Sequence, residues 1–390
     1  AYKERYVADF SMRLDGTTKF GPQKRWGYFP ALSFRWNVID EAWMKSTEKW
    51  LSMLAIRPGW GKVGNQPNAD YLYESKYSIG DKYIDMSSMY PNNIRLTNLR
   101  WESHNTYNVG MNIGFFNNRI TMDLNWYTQK TTDMLMPNVS IPSSTGFSSL
   151  SYSNVGSLTN TGWEFNIEGN KFAQIGKYSF DCNLTFANNR NKINSMDETV
   201  LESLNSKFNE ENRDVLTRVQ VNNPFGAIYG FRFKGVYQYN YDTFADMTKE
   251  EQAAFLASGK TAPIALNSSG QVIYNEKGEP VRMMYCYGNT SSSKNYKFKG
   301  GDAMYEDINH DGNINYQDVV YLGNGNPLFT GGFGSSVTYK GQWKLTAFFN
   351  YRYKYDVVNG TKLNTTNMYT FDNQSTAVLR RWRKEGDVTD

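Results

Sequence analysis

Residues Trp343–Tyr355 read WKLTAFFNYRYKY, and their two faces decide the fold. The odd positions hold Trp343, Leu345, Ala347, Phe349, Tyr351, Tyr353 and Tyr355, while the even positions include Lys344, Thr346, Asn350, Arg352 and Lys354. Successive side chains of an extended strand point to opposite sides, so one face of this segment is apolar along its whole length and the other is polar. At roughly 3.3 Å per residue the segment spans about 40 Å. That exceeds the usual globular strand of about 5–6 residues and suits a tilted strand crossing a bilayer. The tyrosines crowd one end, where a membrane interface would hold them.

The same period of two recurs outward from this stretch. Trp26, Tyr28, Leu32, Phe34 and Trp36 alternate with Gly27, Ser33, Arg35 and Asn37, and Ile120, Met122, Leu124 and Trp126 alternate with Thr121, Asp123 and Asn125. Trp163, Phe165 and Ile167 stand against Glu164, Asn166 and Glu168, and Tyr178, Phe180, Cys182, Leu184 and Phe186 form a further run. With Tyr6 to Leu14, Tyr107 to Phe115 and Phe333 to Tyr339, the pattern predicts about ten strands. The polar faces carry both charge signs.

Composition agrees. Mean hydropathy is −0.64, yet 28 Tyr, 23 Phe and 10 Trp give 16% aromatic residues. A polar lumen residue alternating with each lipid-facing one, plus aromatics at both interfaces, produces this pairing. An aromatic-rich β-sandwich or lectin shares it. The longest apolar run, near Leu51 to Ile56, is far short of the roughly 18 residues of a membrane helix, which excludes a helical membrane protein. The net charge of +4 is spread along the chain apart from Arg380, Arg381, Arg383 and Lys384, which gives nucleic-acid binding little support. Cys182 and Cys286 lack disulfide-scaffold or metal-site spacing and are read as structural.

Short turns at Asn117-Asn118-Arg119 and Lys340-Gly341 alternate with long connections at Leu135 to Ser151, Asn189 to Pro224 and Tyr237 to Thr330. Barrels with short periplasmic turns and long outer loops connect in this way, and function would sit in the loops and lumen. Thr248 followed by Glu251 is a capping-box pattern, predicting a short surface helix over Gln252 to Ser258 stopped at Gly259. If Gly226 to Tyr237 is a barrel strand, the longest connection falls on the periplasmic side. Otherwise that stretch is extracellular, or another strand lies near Val272 to Tyr287.

Asp307 to Asp318 reads DINHDGNINYQD, which fits the acidic calcium-loop pattern with side-chain oxygens at Asp307, Asn309 and Asp311. Gly312 permits the sharp turn, the Asn313 carbonyl supplies a further ligand, Ile314 anchors the loop, and Asp318 closes the shell in place of the usual Glu. Hard oxygen donors at this spacing suit a structural Ca²⁺ that stiffens a surface loop; the plain alternative is an Asp/Asn/Gly-rich turn that binds nothing. One such unit also resembles half of a dockerin, but a dockerin needs two, and the sequence has one.

Catalytic readings are weaker. His104 and His310 are the only histidines, which leaves little scope for histidine-based catalysis or a multi-histidine metal site, and His104 is read as a solvated strand residue. Glu164 and Glu168 share a strand face, but at about 13 Å they are too far apart for a glycosidase pair, which needs roughly 5–9.5 Å. They read as lumen-lining residues. No catalytic residue is assigned, and the sequence names no substrate contact.

Several ordered runs resemble the SusC/RagA family of TonB-dependent outer-membrane transporters: RWGYFPALSFRWNV from Arg25, GKVGNQ from Gly61, LRWESHNTYNVGMNIGFFNNRITMDLNWYTQKTTDML from Leu99, NVGSLTNTGWEFNI from Asn154 and GNPLFTGGFGSSVTYK from Gly325. The resemblance implies an all-β fold, a transmembrane antiparallel β-barrel of about 22 strands with a plugged lumen and long extracellular loops. Residues 1–390 would supply part of the barrel domain, since nothing resembles the plug, a TonB box or a secretion signal, and family members continue beyond Asp390. It further implies a Gram-negative outer membrane and import of an oligosaccharide or peptide powered by TonB–ExbB–ExbD under a SusD-like lipoprotein lid. Two alternatives are a secreted Ca²⁺-dependent carbohydrate-binding β-protein and a passive or structural barrel. The first predicts short strands, against which the long apolar faces stand.

Overall fold

The computed structural model describes residues 1–205, 216–217, 219–285, 295–368 and 371–389. Cys286 lies outside them. The chain forms two compact units. The first comprises residues 1–205, 219–225 and 326–355, the second residues 206–218, 226–325 and 356–390.

The first unit is built on nine antiparallel strands: β1 Tyr6–Gly16, β2 Trp26–Asn37, β3 Leu51–Asn65, β4 Glu102–Phe115, β5 Ile120–Thr132, β6 Ser157–Ile175, β7 Tyr178–Ser195, β8 Phe329–Tyr339 and β9 Trp343–Tyr353. They pair in sequence order. The register keeps the apolar positions on one side throughout. Trp36 lies opposite Ile56, Ile56 opposite Met111, Met111 opposite Leu124, Leu124 opposite Phe165 and Phe165 opposite Phe186. Because the side-chain period is two, a slip of one residue would turn every member of this row to the other face. Leu345 is 76% exposed and Phe349 63%, so the apolar face is not covered by protein. A soluble β-sandwich would bury this face against a second sheet. Aromatic rings continue the face laterally, with Trp163 5.1 Å from Phe186, Phe186 5.1 Å from Phe329 and Phe329 stacked on Tyr353.

The buried clusters of this unit lie toward the strand ends. Phe20, Leu72, Leu96 and Leu99 pack with Trp101 and Leu135, and Val38, Met44 and Leu51 pack with Trp36 and Phe115. Among the described residues β1 pairs only with β2 and β9 only with β8, so the sheet is open at both edges. No described helix is long and apolar enough to cross a membrane.

The strand expectation needs one correction, and one open point in it is resolved. β3 was not foreseen, because the run from Leu51 to Ile56 masks its alternation and Pro58 lies within it. Conversely, Ala227–Phe231 pairs with Leu216–Thr217 and Val319–Asn324 in a separate small sheet, not with the nine strands. That removes the direction conflict. Residues 38–50, 116–119, 176–177 and 340–342 connect strands at one end, and residues 17–25, 66–101, 133–156 and 196–328 connect them at the other.

In the second unit Tyr237, Ala265, Met283, Phe298 and Ile314 form one core, and Phe244, Phe255, Ala262 and Ile264 another. The expected helix is present as α1, Lys249–Ala257. Thr248 Oγ1 accepts the Glu251 amide, and the Glu251 carboxylate accepts the Thr248 amide at 2.8 Å. Gly259 follows at φ +73°, a conformation that glycine adopts without a Cβ clash.

Candidate functional site

Two regions bring polar groups together: the polar face of the nine strands and the Asp307 loop of the second unit.

On the sheet, Arg57 of β3 reaches Asp123 of β5 at 3.1 Å, and Asn125 donates to the same carboxylate at 3.0 Å. Asp123, Asn125, Glu164, Asn166 and Thr185 line a concavity of about 300 Å³. Glu164 and Glu168 sit on this face four strand positions apart, and Glu168 accepts from Asn166 at 3.1 Å. Toward the long-connection end the face is closed by rings. Phe29 meets Trp101 edge-on at 5.4 Å, and Trp101 donates its indole N–H to the Arg25 carbonyl. Gly64 admits this packing, since a Cβ there would lie 2.2 Å from the Phe29 ring. His104 departs from expectation. Its ring nitrogens meet Thr131 Oγ1 and Glu102 Oε1, each at 2.9 Å, so the residue is pinned by its neighbours and only partly open to solvent.

The Asp307 loop is wound by its own side chains. Asp307 Oδ2 accepts the Gly312 amide at 2.8 Å, Asn309 Oδ1 accepts the Asp311 amide at 3.2 Å, and Asp311 Oδ1 accepts the Asn313 amide at 2.7 Å. Gly312 stands at φ +80° and His310 at φ +58°, with His310 Nδ1 2.9 Å from the Leu266 carbonyl oxygen. Asn313–Ile314 pairs in parallel with Met284–Tyr285, and Ile314 is fully buried in the core, as its anchoring role requires. Asp318 is also fully buried and accepts the Ile308 and Asn315 amides, each at 2.9 Å. Burial pushes its carboxyl pKa up, and the charges of Asp307 and Asp311 act in the same direction. Asp307 Oδ1 is buried and has no hydrogen-bond partner among the described residues. Among the described residues no three His, Cys, Asp or Glu side chains are gathered as a metal-holding group. The pattern's remaining donors are the Asn309 amide oxygen and the Asn313 carbonyl, and Asp318 is turned to backbone amides.

A cavity of about 500 Å³ adjoins this loop, walled by Tyr237, Ile264, Leu266, Met283, Met304 and Tyr305, with Lys260, Asp307 and His310 also on its lining. Tyr237 is 3% exposed. Burial, with the charges of Asp307 and Asp302, pushes its pKa well up, so it stays a neutral donor and acceptor. Sequence reading missed this cavity because its walls come from four separated stretches. At its edge Glu306 bridges Lys234 and Arg232, and the hydrogen bond from Lys234, with both cationic charges, holds its carboxyl below the usual range.

Comparison with known proteins places this geometry. The family described as TonB dependent receptor-like, beta-barrel matches residues 1–382. The TonB-dependent receptor SusC of Bacteroides thetaiotaomicron is 30% identical over 349 residues, covering 86% of this chain and 32% of that protein. A TonB-dependent receptor of Formosa agariphila is 29% identical over 361 residues, 91% of this chain and 32% of that protein. This chain therefore spans about a third of the length of the curated relatives it matches. Among solved structures, the RagAB peptide transporter aligns with a TM-score of 0.65 at 22% identity over 99% of this chain and 36% of that chain. The RagAB peptide importer in its open-open state aligns at 0.69 and 20% identity over 100% and 36%. These two likenesses show a shared fold.

Proposed function

Because the chain belongs to the TonB-dependent receptor-like β-barrel family, we propose that its nine strands are part of an outer-membrane barrel that imports an oligosaccharide or peptide. The observation that carries this reading is the in-register apolar face. Its side chains stay exposed from β1 to β9, among them Phe10, Tyr28, Tyr107, Trp126, Phe333 and Leu345, while the three longest connections leave from one end. Lipid covers such a face without asking for hydrogen bonds, and the opposite, polar face is then free to line a lumen.

Transport in this reading is binding and gating, driven by TonB–ExbB–ExbD through parts of the protein outside these residues. The long connections face the cell exterior, and a SusD-like lipoprotein closes over them as a lid. RagAB, named as a peptide importer, keeps a peptide among the candidate cargoes. The polar face holds paired charges such as Arg57 and Asp123, which orient water and solute without covalent chemistry.

The Asp307 loop fits a calcium ion. Asp307 Oδ1 is a buried carboxylate oxygen without a donor, which is costly to leave unmet. Asp307, Asn309, Asp311 and the Asn313 carbonyl would hold the ion, with Asp318 joining through the lone pairs that its amide contacts leave free, and the ion when bound would neutralise the loop's carboxylates and fix the connection. The three Asx hydrogen bonds already set the backbone path.

The test is uptake by cells whose full-length gene is deleted and then restored, given separate pools of labelled oligosaccharides and peptides. Import that needs both this gene and TonB supports the reading. Equal import of both pools with and without the gene refutes it.

A further inference from the structure

The short-turn end of the nine-stranded sheet carries cations without matching acids. Lys49 precedes β3, Arg119 lies in the β4–β5 turn, Lys177 in the β6–β7 turn and Lys340 in the β8–β9 turn. All four are exposed, and none has an acidic partner within ion-pair distance among the described residues. At the opposite end Arg13 pairs with Asp15, Arg100 with Asp133 and His104 with Glu102. At the short-turn end Glu41 is engaged by Tyr6, Trp36 and Arg5, and Asp181 by the Lys171 amide and Ser336. That leaves exposed Glu4, Asp40 and Glu48, which Lys3, Lys45, Lys171 and Lys344 already outnumber.

Adjacent turns are tied together. The Phe116 amide donates to the Trp50 carbonyl at 2.9 Å, the Asn170 amide to Arg119 at 2.8 Å and the Lys340 amide to Lys177 at 2.8 Å. The cations thus form a row along the rim. Just inside this row the apolar face ends in aromatic rings. Trp50 stacks on Phe115 at 5.9 Å, Tyr178 meets Tyr339 at 4.8 Å, and Lys340 Nζ sits 5.4 Å above the Tyr339 ring. Trp343 is 74% exposed beside them.

Aromatic rings settle at the boundary between acyl chains and headgroups, and lysine stems extend past them to place charge among the headgroups. We propose that this rim binds acidic phospholipid headgroups, of the phosphatidylglycerol class, in the leaflet at the short-turn end. Each headgroup phosphate meets cations that have no protein partner to displace. Attraction of this kind decays within a Debye length, so salt weakens it. The proposal rests on the membrane-barrel reading above.

The test reconstitutes the full-length protein in phosphatidylcholine bilayers and measures, by electron spin resonance, the motionally restricted fraction of spin-labelled phosphatidylglycerol against spin-labelled phosphatidylcholine. The expected result is a several-fold preference for phosphatidylglycerol at low salt. It should fall toward parity at high salt and in the variant Lys49→Gln, Arg119→Gln, Lys177→Gln, Lys340→Gln. The charge-preserving Lys177→Arg, Lys340→Arg variant should keep the preference. Heat-shifted gel mobility reports barrel assembly separately. An assembled barrel with no phosphatidylglycerol preference, or with one unchanged in the four-Gln variant, overturns the proposal and leaves the barrel standing, with an acidic protein as the rim's partner. Failure of the wild-type protein to assemble in bilayers removes both.

Discussion

Asp307 grips Gly312: one carboxylate oxygen accepts the Gly312 amide at 2.8 Å, while the other is buried with no hydrogen-bond partner among the described residues. The first contact fixes the turn and the second oxygen is left for a cation. Substituting both Asp307→Ala and Asp311→Ala is expected to abolish bound Ca²⁺, measured by elemental analysis of the purified full-length protein, and to loosen the loop while the barrel still assembles. Unchanged calcium content would remove the metal assignment.

Thr248 and Glu251 close the first turn of α1 reciprocally. Thr248→Ala should cost about 1 kcal/mol of local stability, seen as faster amide exchange at Glu251 and Gln252. Hydrogen bonds from the Thr248 amide and hydroxyl hold the Glu251 carboxyl below its ordinary value of 4.5. A depressed folded-state pKa means the contribution is present above that ordinary value and lost as pH falls through the lower, folded one. Protection from exchange in this turn, taken relative to the intrinsic rate at each pH, should therefore fall only in acid, and a Glu251→Gln variant should lose most of that pH dependence.

Phe349 and Asn350 are neighbours on opposite faces of β9. Phe349→Arg should destabilise the assembled barrel by about 2–4 kcal/mol if it lies near the bilayer midplane, whereas Asn350→Arg should cost little. Denaturant titration of heat-shifted gel mobility checks this, and equal costs at the two positions would contradict a lipid-facing row.

The legible features were local ones. Alternation in β9 could be read because Leu345 and Phe349 are apolar where Thr346 and Asn350 are polar, and the α1 cap because its partners lie three residues apart. β3 was hidden by consecutive apolar residues at Met53, Leu54, Ala55 and Ile56, which offer no period of two. Gly226 to Tyr237 stays open in the sequence between a barrel strand and a loop segment, because its alternating rings equally suit a short strand half buried in a small core, where Tyr229 is 2% exposed. The Tyr237 cavity and the pinned His104 depend on residues distant in sequence, which no local pattern reports.

The lipid-facing apolar row is tested most directly by a cysteine scan along β9. In the assembled full-length protein, with Cys182→Ala and Cys286→Ala as background, single cysteines would be placed from residue 344 to residue 350 and treated with a membrane-impermeant maleimide. The account predicts labelling with a period of two: positions 346, 348 and 350 react from the lumen, and positions 345, 347 and 349 are shielded by lipid. Uniform reactivity along the strand, or preferred reaction at the odd positions, would contradict it.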